Sequence, residues 1–187
     1  MSRGLRAYTE SAALTFGAAT SDRVDCGSAA RLDDLDPGTD LVLMRATTIT
    51  GGRRLTSKQS TTSNGRRFGI DGVSGAINVR VDRATTALNY VTNTLPLVVN
   101  TWGLVGHTFD SGAAAGELVN IYRADGTDPV TECGYGTAND GAGALTSEAA
   151  HSFILGNDGA LTQAFQGQIA AAARFARVLT LAEIQRW

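Results

Sequence analysis

The carboxyl-terminal end of the chain limits the possible folds more than any other segment. Side chains alternate through residues 168–175 with the period of two that is typical of a half-buried strand. The expected inward face consists of Ile169, Ala171, Ala173 and Phe175. Thr180 and Glu183 then have the spacing of a capping box, in which each side chain accepts a hydrogen bond from the other residue's backbone N–H. A strand followed by a short capped helix predicts a β-rich fold that ends on a helix.

Short alternating apolar runs, separated by turns, continue through the rest of the sequence. The 187 residues include 22 glycines and 3 prolines, which is typical of an all-β domain with many tight turns. We predict one domain over residues 13–187, preceded by a polar N-terminal arm over residues 1–12. Further strands are predicted at residues 13–16, 22–26, 41–45, 53–58, 67–70, 76–81, 88–92, 102–110, 117–122 and 151–155.

Three local patterns add detail to this prediction. In residues 76–81, Ile77, Val79 and Val81 are expected to face inward, with Asn78 and Arg80 facing solvent. The Asn64-Gly65 pair predicts a tight turn between two neighbouring strands. Residues 134–150 are rich in small side chains and are expected to form a long loop, of a length that is usually functional or mobile.

Seven segments resemble, in their order and spacing, the concanavalin A-like lectin/glucanase superfamily and specifically its laminin-G-like (LamG) branch. The resemblance covers roughly residues 13–187 and implies a two-sheet antiparallel jelly-roll sandwich with its first strand beside its last. It does not imply one activity, because members include enzymes, lectins, adhesion modules and virion proteins. The segments are residues 14–16, 22–24, 55–58, 102–110, 118–126, 153–156 and 165–167.

The residues expected of a glycosidase are missing. Glucanases that the chain resembles carry carboxylates at alternate positions of one strand (E-x-D-x-E), which places acid and nucleophile on one sheet face. The sequence contains no such triplet. The nearest acidic cluster, Asp33, Asp34 and Asp36, adjoins the Pro37-Gly38 turn, and we interpret it as solvated loop charge. We therefore predict no catalytic residues and no enzyme activity.

Neither nucleophilic catalysis nor a zinc site is indicated. His107 shares a predicted strand face with Val105 and Phe109, so we expect a packed or sheet-surface imidazole. Neither His107 nor His151 has cysteine or carboxylate neighbours at ligand spacing. Cys26 and Cys133 are far apart in sequence and are expected to be free thiols in a reducing cytoplasm, a bridge between them being the less favoured alternative.

Calcium is the one metal that the resemblance implies, through loop oxygens at the rim of the sandwich. Six to eight oxygen ligands would have to converge, whereas Asx-Gly pairs are ordinary turn sequences. We favour structural turns and predict no cofactor. The candidate ligands are Asp110, Asp125, Asp140, Asn157 and Asp158.

Basic and aromatic side chains offer two further candidate surfaces. Arg53-Arg54 and Arg66-Arg67 flank the predicted Asn64-Gly65 turn, where a basic patch would bind phosphate or an acidic partner. A solvated hairpin face is the favoured interpretation. Trp102 and Trp187 have the chemistry to stack on a sugar, but we expect Trp102 to face the core and Trp187 to seal the edge of the sandwich.

The net charge and the N-terminal residues limit the partners and the location that we expect. A net charge of −2 gives no general attraction for nucleic acid, no segment has the length of a transmembrane helix, and the N-terminus has no secretory pattern. We predict a non-catalytic structural protein of a bacteriophage virion, a capsid decoration or tail-associated subunit. It would be made in the host cytoplasm and displayed on the virion surface.

The predicted partners follow from that role. The protein would bind other virion proteins, such as a major capsid protein, and would form a homo-oligomer, either a trimer or a dimer. A carbohydrate-binding or adhesion module that recognises cell-surface glycans is the alternative. A glycan hydrolase with atypical carboxylates is the second alternative.

Overall fold

The chain forms an all-β sandwich that ends in one short helix, as the sequence predicts. The computed structural model describes residues 13–17, 19, 21–59, 65–72, 75–93 and 97–187. The predicted arm over residues 1–12 and the turn residue Asn64 lie outside these ranges. No helix within them has the length and apolar character needed to cross a bilayer.

The strands of the described residues make two sheets, and all of their pairings are antiparallel. In chain order they are β1 (Leu14–Phe16), β2 (Val24–Asp25), β3 (Gly38–Ala46), β4 (Arg53–Gln59), β5 (Gly65–Ile70), β6 (Ile77–Val81), β7 (Leu88–Thr92), β8 (Trp102–Phe109), β9 (Val119–Asp125), β10 (Thr131–Glu132), β11 (Tyr135–Asn139), β12 (Ile154–Leu155) and β13 (Gly167–Phe175), followed by helix α1 (Leu181–Ile184). The six-stranded sheet has the order β1-β13-β3-β8-β9-β10, and the seven-stranded sheet has the order β11-β7-β6-β5-β4-β12-β2. Leu14 of β1 lies opposite Ile169 of β13, so the first and last strands are neighbours, as expected.

The main core lies between the two sheets. Because successive strand side chains point to opposite faces, the apolar set of each sheet meets that of the other. Ile77, Val79 and Val81 belong to this core, as predicted. Asn78 lies on the opposite face but is only 8% exposed. Its side-chain amide donates to Asn89 Oδ1 at 2.8 Å and to the Tyr90 carbonyl at 3.2 Å. The prediction that Asn78 faces solvent is therefore wrong.

A second apolar cluster covers the outer face of the six-stranded sheet. Helix α1 starts with the predicted capping box: Thr180 Oγ1 accepts from the Glu183 N–H at 3.3 Å, and Glu183 Oε2 accepts from the Thr180 N–H at 2.9 Å. Ile184 is 1% exposed, and burying it contributes about 1.5–3 kcal/mol. Trp187 leaves 40% of its surface exposed, so Ile184 closes this face and Trp187 does not. The cluster contains Leu41, Leu104, Tyr122, Ala124, Val130, Leu179 and Ile184, with Phe175 packed against it.

Strand β13 changes face halfway along, which the sequence pattern did not predict. The pairing with β3 is shifted by one residue between Ile169 and Ala171, so that a β-bulge falls at Ala170. Ile169 therefore belongs to the core between the sheets, whereas Phe175 packs on the outer cluster. The prediction that they share one face with Ala171 and Ala173 is wrong. Beyond the bulge, Arg174 turns inward, opposite Asp40.

Residues 134–150 are only partly the loop that their composition predicts. Strand β11 lies within them and pairs with β7 at the edge of the seven-stranded sheet. The rings of Tyr135 and Tyr90 meet edge-to-face, with centroids 5.5 Å apart, and this contact attaches β11 to the core. The small side chains thus belong in part to an edge strand.

Candidate ligand-binding groove

A polar groove lies on the outer face of the seven-stranded sheet. The alternation of β5 sends Phe68 and Ile70 into the core and leaves Arg67 and Gly69 on the outer face. The sheet register then forms two rows across the strands. One row runs through Arg54, Gly69, Asn78 and Val91, and the other through Ser57, Arg67, Arg80 and Asn89.

Two loops turn these rows into a concave site with a volume of about 340 Å³. This size is within the range of about 300–1,000 Å³ that is usual for small-molecule sites. One wall consists of glycine backbone, in which the Gly51 N–H donates to the Gly72 carbonyl at 3.1 Å. The other wall carries Gln163, whose backbone carbonyl accepts a hydrogen bond from the Arg54 backbone N–H at 3.0 Å. The lining consists of Gly51, Gly52, Arg54, Arg67, Ile70, Asp71, Gly72, Asn78, Asn89, Val91 and Gln163.

Three polar atoms of the lining are buried without a hydrogen-bond partner in the described part of the chain. They are Arg54 Nε, Arg67 Nε and Gln163 Oε1. Arg54 is 7% exposed. Buried polar groups in native proteins are nearly always hydrogen-bonded. Two donors and one acceptor in one groove therefore leave hydrogen-bonding capacity that the described residues do not fill, for water or for a ligand.

The two arginines give this groove an unbalanced positive charge. Burial and then the neighbouring charge of Arg67 lower the pKa of Arg54 to about 10. The pKa of Arg67 is lowered by burial and then by the charge of Arg80. Both guanidinium groups nevertheless stay charged at neutral pH, because arginine is protonated throughout the physiological range.

The two predicted arginine pairs do not form one hairpin face. Arg54 and Arg67 lie in the groove, whereas Arg53 donates to the Thr50 and Ala164 carbonyls. Arg66 is buried between the sheets, where its guanidinium lies 4.6 Å from the centre of the Phe109 ring. The interpretation of these residues as a solvated face is wrong, since strand alternation separates each pair.

Buried charges between the sheets form a balanced network, and none of its residues lines the groove. Arg174 Nη2 donates to Glu148 Oε1 at 2.8 Å, and Arg66 Nε lies 3.8 Å from Glu148 Oε2. Asp40 Oδ1 lies 3.5 Å from Arg174 Nε. Burial raises the pKa of Glu148 in spite of the two arginines. The network contributes specific pairing between strands that are far apart in sequence.

The acidic cluster near Pro37 holds loops in place. Asp33 pairs at 2.8 Å with Lys58 Nζ, and Lys58 is fully buried. Asp34 accepts from the Ser147 hydroxyl and the Glu148 N–H, both at 2.7 Å. Asp36 accepts from the Ser111 N–H at 2.9 Å. Asp34 and Asp36 are exposed, as predicted for solvated loop charge, and each of the three carboxylates also has a specific partner.

His107 is packed in the interior on the same strand face as Val105 and Phe109. It is 1% exposed, and its ring centre lies 4.8 Å from that of Phe68. Burial lowers its pKa from the ordinary value of 6.5 to about 4, and the charges of Arg66 and Arg174 act in the same direction. A neutral, enclosed imidazole cannot reach a ligand in the groove.

The five calcium candidates do not fit a calcium site. Within the described ranges, no three histidine, cysteine or acidic side chains converge. Asp140 accepts from the Tyr90 hydroxyl and the Gly116 N–H, and Asp125 pairs with Arg123 at 2.7 Å. Asp158 accepts from the Thr162 N–H and hydroxyl, both at 2.8 Å. Asp110 accepts from the Gly112 N–H and Asn157 from the Asp158 N–H, which makes both of them turn residues.

A second concavity, of about 430 Å³, lies beside β9 and β11 and is lined by Asp110, Glu117 and Glu132. Its three acidic side chains are a candidate set for a hydrolase with atypical carboxylates. The general acid of such an enzyme needs a carboxyl group in a low-dielectric site. Glu117 and Glu132 are instead exposed to solvent.

The remaining candidate residues lie away from the groove. Cys26 is exposed and Cys133 is buried, and both are free thiols, as predicted. Trp102 is half-buried and belongs to neither apolar cluster, contrary to the expected core position. Among the described residues that line the groove none is aromatic, and the lining offers mainly hydrogen-bonding groups.

Comparisons with known proteins agree with this architecture. A pentraxin from Limulus polyphemus, solved as a native heptamer, superposes with a TM-score of 0.55 at 9% identity, over 91% of this chain and 78% of that one. A Bacteroides ovatus protein, provisionally described as carbohydrate-binding, superposes with a TM-score of 0.53 at 14% identity. It aligns with 93% of this chain, which spans about half (46%) of its length.

Sequence comparison assigns the family. No curated protein matches the sequence. The laminin-G-like family model Laminin_G_3, described as concanavalin A-like lectin/glucanases superfamily, matches residues 18–185. This match covers most of the chain and agrees with the two-sheet sandwich described above. The chain therefore belongs to the concanavalin A-like lectin/glucanase superfamily.

Proposed function

We propose that this protein is a non-catalytic carbohydrate-binding module whose ligand site is the groove on the outer face of the seven-stranded sheet. The observation that carries the proposal is the set of three buried, unpartnered polar atoms on Arg54, Arg67 and Gln163. Saccharide hydroxyls both donate and accept hydrogen bonds, so one sugar ring has the chemistry to satisfy all three. The superfamily membership and the provisional description of the Bacteroides ovatus relative support this class of ligand.

The absence of a catalytic site is part of this proposal. The described residues that line the groove include one carboxylate, Asp71, whereas glycoside hydrolysis canonically needs two carboxyl groups flanking the bond. The groove is thus equipped to hold a saccharide and not to cleave it.

The test is binding of the purified protein to an array of neutral and acidic glycans, followed by calorimetry on the glycans that are retained. Val91 is half-buried in the lining of the groove, so Val91→Trp should fill the site and reduce affinity at least tenfold. Leu181→Trp, at an exposed position of α1 on the other sheet, is the matched control and should bind like the wild type. Retention of no glycan, or full binding by Val91→Trp, would reject the proposal.

A role in a bacteriophage particle, with a homo-oligomer as the assembling unit, is our second proposal. Residues 1–12, the predicted docking arm, lead into β1, which is an edge strand of the six-stranded sheet. Leu14 on that strand is 52% exposed, and edge strands are natural sites for pairing with another chain. The Limulus pentraxin, solved as a native heptamer, is one example of assembly by a protein of similar fold.

The assembly proposal has its own test. Light scattering should give a mass of two or three chains for the full-length protein, and deletion of residues 1–12 should lower incorporation into particles while leaving the thermal midpoint unchanged. A monomer whose incorporation is unaffected by the deletion would contradict it.

A further inference from the structure

We infer that the saccharide is acidic and that its carboxylate or sulfate group binds between Arg54 and Arg67. This inference rests on the proposed function, because it names the chemical class of ligand for the same groove. The first support is position. Arg54 of β4 is paired with Gly69, and Arg67 lies two residues before Gly69 on β5, so both guanidinium groups rise from one part of the groove floor.

The second support is the contrast with the arginines of the interior. The side chains of Arg66 and Arg174 are 6% and 3% exposed, and both lie within 4 Å of Glu148. Arg54 and Arg67 have no ion pair with any described residue, although Asp71 lies in the same groove. Buried charges are normally paired. An anion from outside would provide the partner that the chain does not supply.

Two carboxylates whose charges act on these arginines from beyond ion-pair distance have other partners. Asp158 is held by the N–H and hydroxyl of Thr162. Asp82 accepts from Arg80 Nε at 3.0 Å, which also neutralises the third arginine of this face. The described lining thus holds two arginines against one carboxylate, Asp71, which leaves a surplus of one positive charge for a ligand.

The third support is the kind of contact that the groove provides. A planar guanidinium group binds carboxylate or sulfate oxygens through two parallel hydrogen bonds. Asn78 is already committed to Asn89 and Tyr90, but Gln163 Oε1 is free to accept from a ring hydroxyl. The lining therefore combines an anion site with a hydroxyl acceptor, which fits an acidic sugar better than a free inorganic anion.

The experiment compares acidic polysaccharides with neutralised forms of the same chains, by calorimetry at low and at physiological salt. The uronate arm uses polygalacturonate, alginate and hyaluronan, each beside its carboxyl-reduced form. The sulfate arm uses a sulfated galactan beside its desulfated form, and sodium sulfate alone is the third arm. We expect at least one acidic chain to bind tenfold or more tightly than its neutral form, and sodium sulfate to bind far more weakly than that chain.

Variants separate this inference from the proposed function. Arg54→Gln and Arg67→Gln should each remove most of the preference for the acidic chain, while Arg186→Gln, an exposed arginine of the C-terminal segment, should leave it unchanged. Arg67 is half-buried and tolerates substitution more readily than Arg54, and thermal melting would verify that each variant is folded.

The possible outcomes have different meanings. Equal binding of acidic and neutral forms, abolished by Val91→Trp, would overturn the inference and leave the proposed function standing. Tight binding of sodium sulfate alone would also overturn it, because the site would then recognise a free anion. Binding of no saccharide at all would reject both.

Discussion

Arg174 Nη2 donates a 2.8 Å hydrogen bond to Glu148 Oε1 between the two sheets. The bond joins strand β13 to the end of the 134–150 segment, and both side chains are 3% exposed. Glu148 also approaches Arg66, and its carbonyl accepts from Lys58 at 3.0 Å. The Glu148 carboxylate thus lies close to two arginines, Arg66 in the seven-stranded sheet and Arg174 in the six-stranded sheet.

Glu148→Gln should destabilise the fold strongly. The substitution removes the negative charge but leaves Arg66 and Arg174 buried, and breaking a buried ion pair in this way costs about 3–5 kcal/mol. Urea unfolding followed by tryptophan fluorescence would measure the loss. Glu117→Gln, at an exposed position, is the matched control and should change stability by less than about 0.5 kcal/mol. Equal stability of the two variants would show that the network contributes nothing.

Stability should fall as the pH is lowered from about 6.5 to about 4 because of His107. Its pKa is lower in the folded protein than in the unfolded chain, so within this window the unfolded state binds a proton that the folded state does not. The loss is roughly 3 kcal/mol and is complete below the folded pKa. Asp40, Arg66 and Arg174 face the imidazole and are present in both the wild type and His107→Gln.

The difference between wild type and His107→Gln isolates this contribution. Unfolding free energies measured at intervals from pH 7.5 to pH 3.5 should give a steeper curve for the wild type between pH 6.5 and 4. Parallel curves throughout that window would contradict the assignment of a neutral, buried imidazole.

Thr180→Ala should loosen the C-terminal helix. The threonine hydroxyl caps the Glu183 N–H, and loss of such a cap costs about 1 kcal/mol. Hydrogen exchange of the Ile184 and Gln185 amides should accelerate, with little change in the strands. Thr131→Ala, on an exposed edge strand, should not alter these rates. Unchanged exchange at Ile184 in Thr180→Ala would mean that packing alone holds the helix.

The two thiols should differ in reactivity. Cys26 is exposed, whereas Cys133 is buried and burial raises its pKa to about 11. A thiol reagent at pH 8 should therefore modify one cysteine in the native protein and the second one only after unfolding. Absence of any reaction in denaturant without reductant would reveal a disulfide and contradict the free thiols.

Most strands were predictable because alternation of side chains is a local property. The β-bulge at Ala170 was not predictable, because residues 170–173 are all alanine and show no difference between their two faces. A shift of register within that run exchanges one methyl group for another, and the consequence becomes visible only at Arg174 and Phe175.

The groove could not be predicted from any single segment of the sequence. Alternation through residues 66–70 already separates the arginines, because Arg66, Phe68 and Ile70 fall on one face and Arg67 and Gly69 on the other. The partner residues come from elsewhere in the chain: Arg54 from the neighbouring strand and Gln163 from a loop more than a hundred residues away. Their convergence depends on sheet register and loop packing, which no local pattern encodes. The pairing of Glu148 with Arg174, 26 residues apart, likewise depends on how the loop before β12 packs against β13.

The position of the ligand tests the account most directly. Nuclear magnetic resonance titration of the ¹⁵N-labelled protein with the tightest-binding acidic saccharide would map the site without any substitution. The account predicts that shifts concentrate on Gly69, Asn78, Asn89 and Gln163 and on the Arg54 and Arg67 side chains, while the amides of α1 stay unchanged. Shifts concentrated on the second concavity beside Glu117 and Glu132, or on the outer face of the six-stranded sheet, would contradict it.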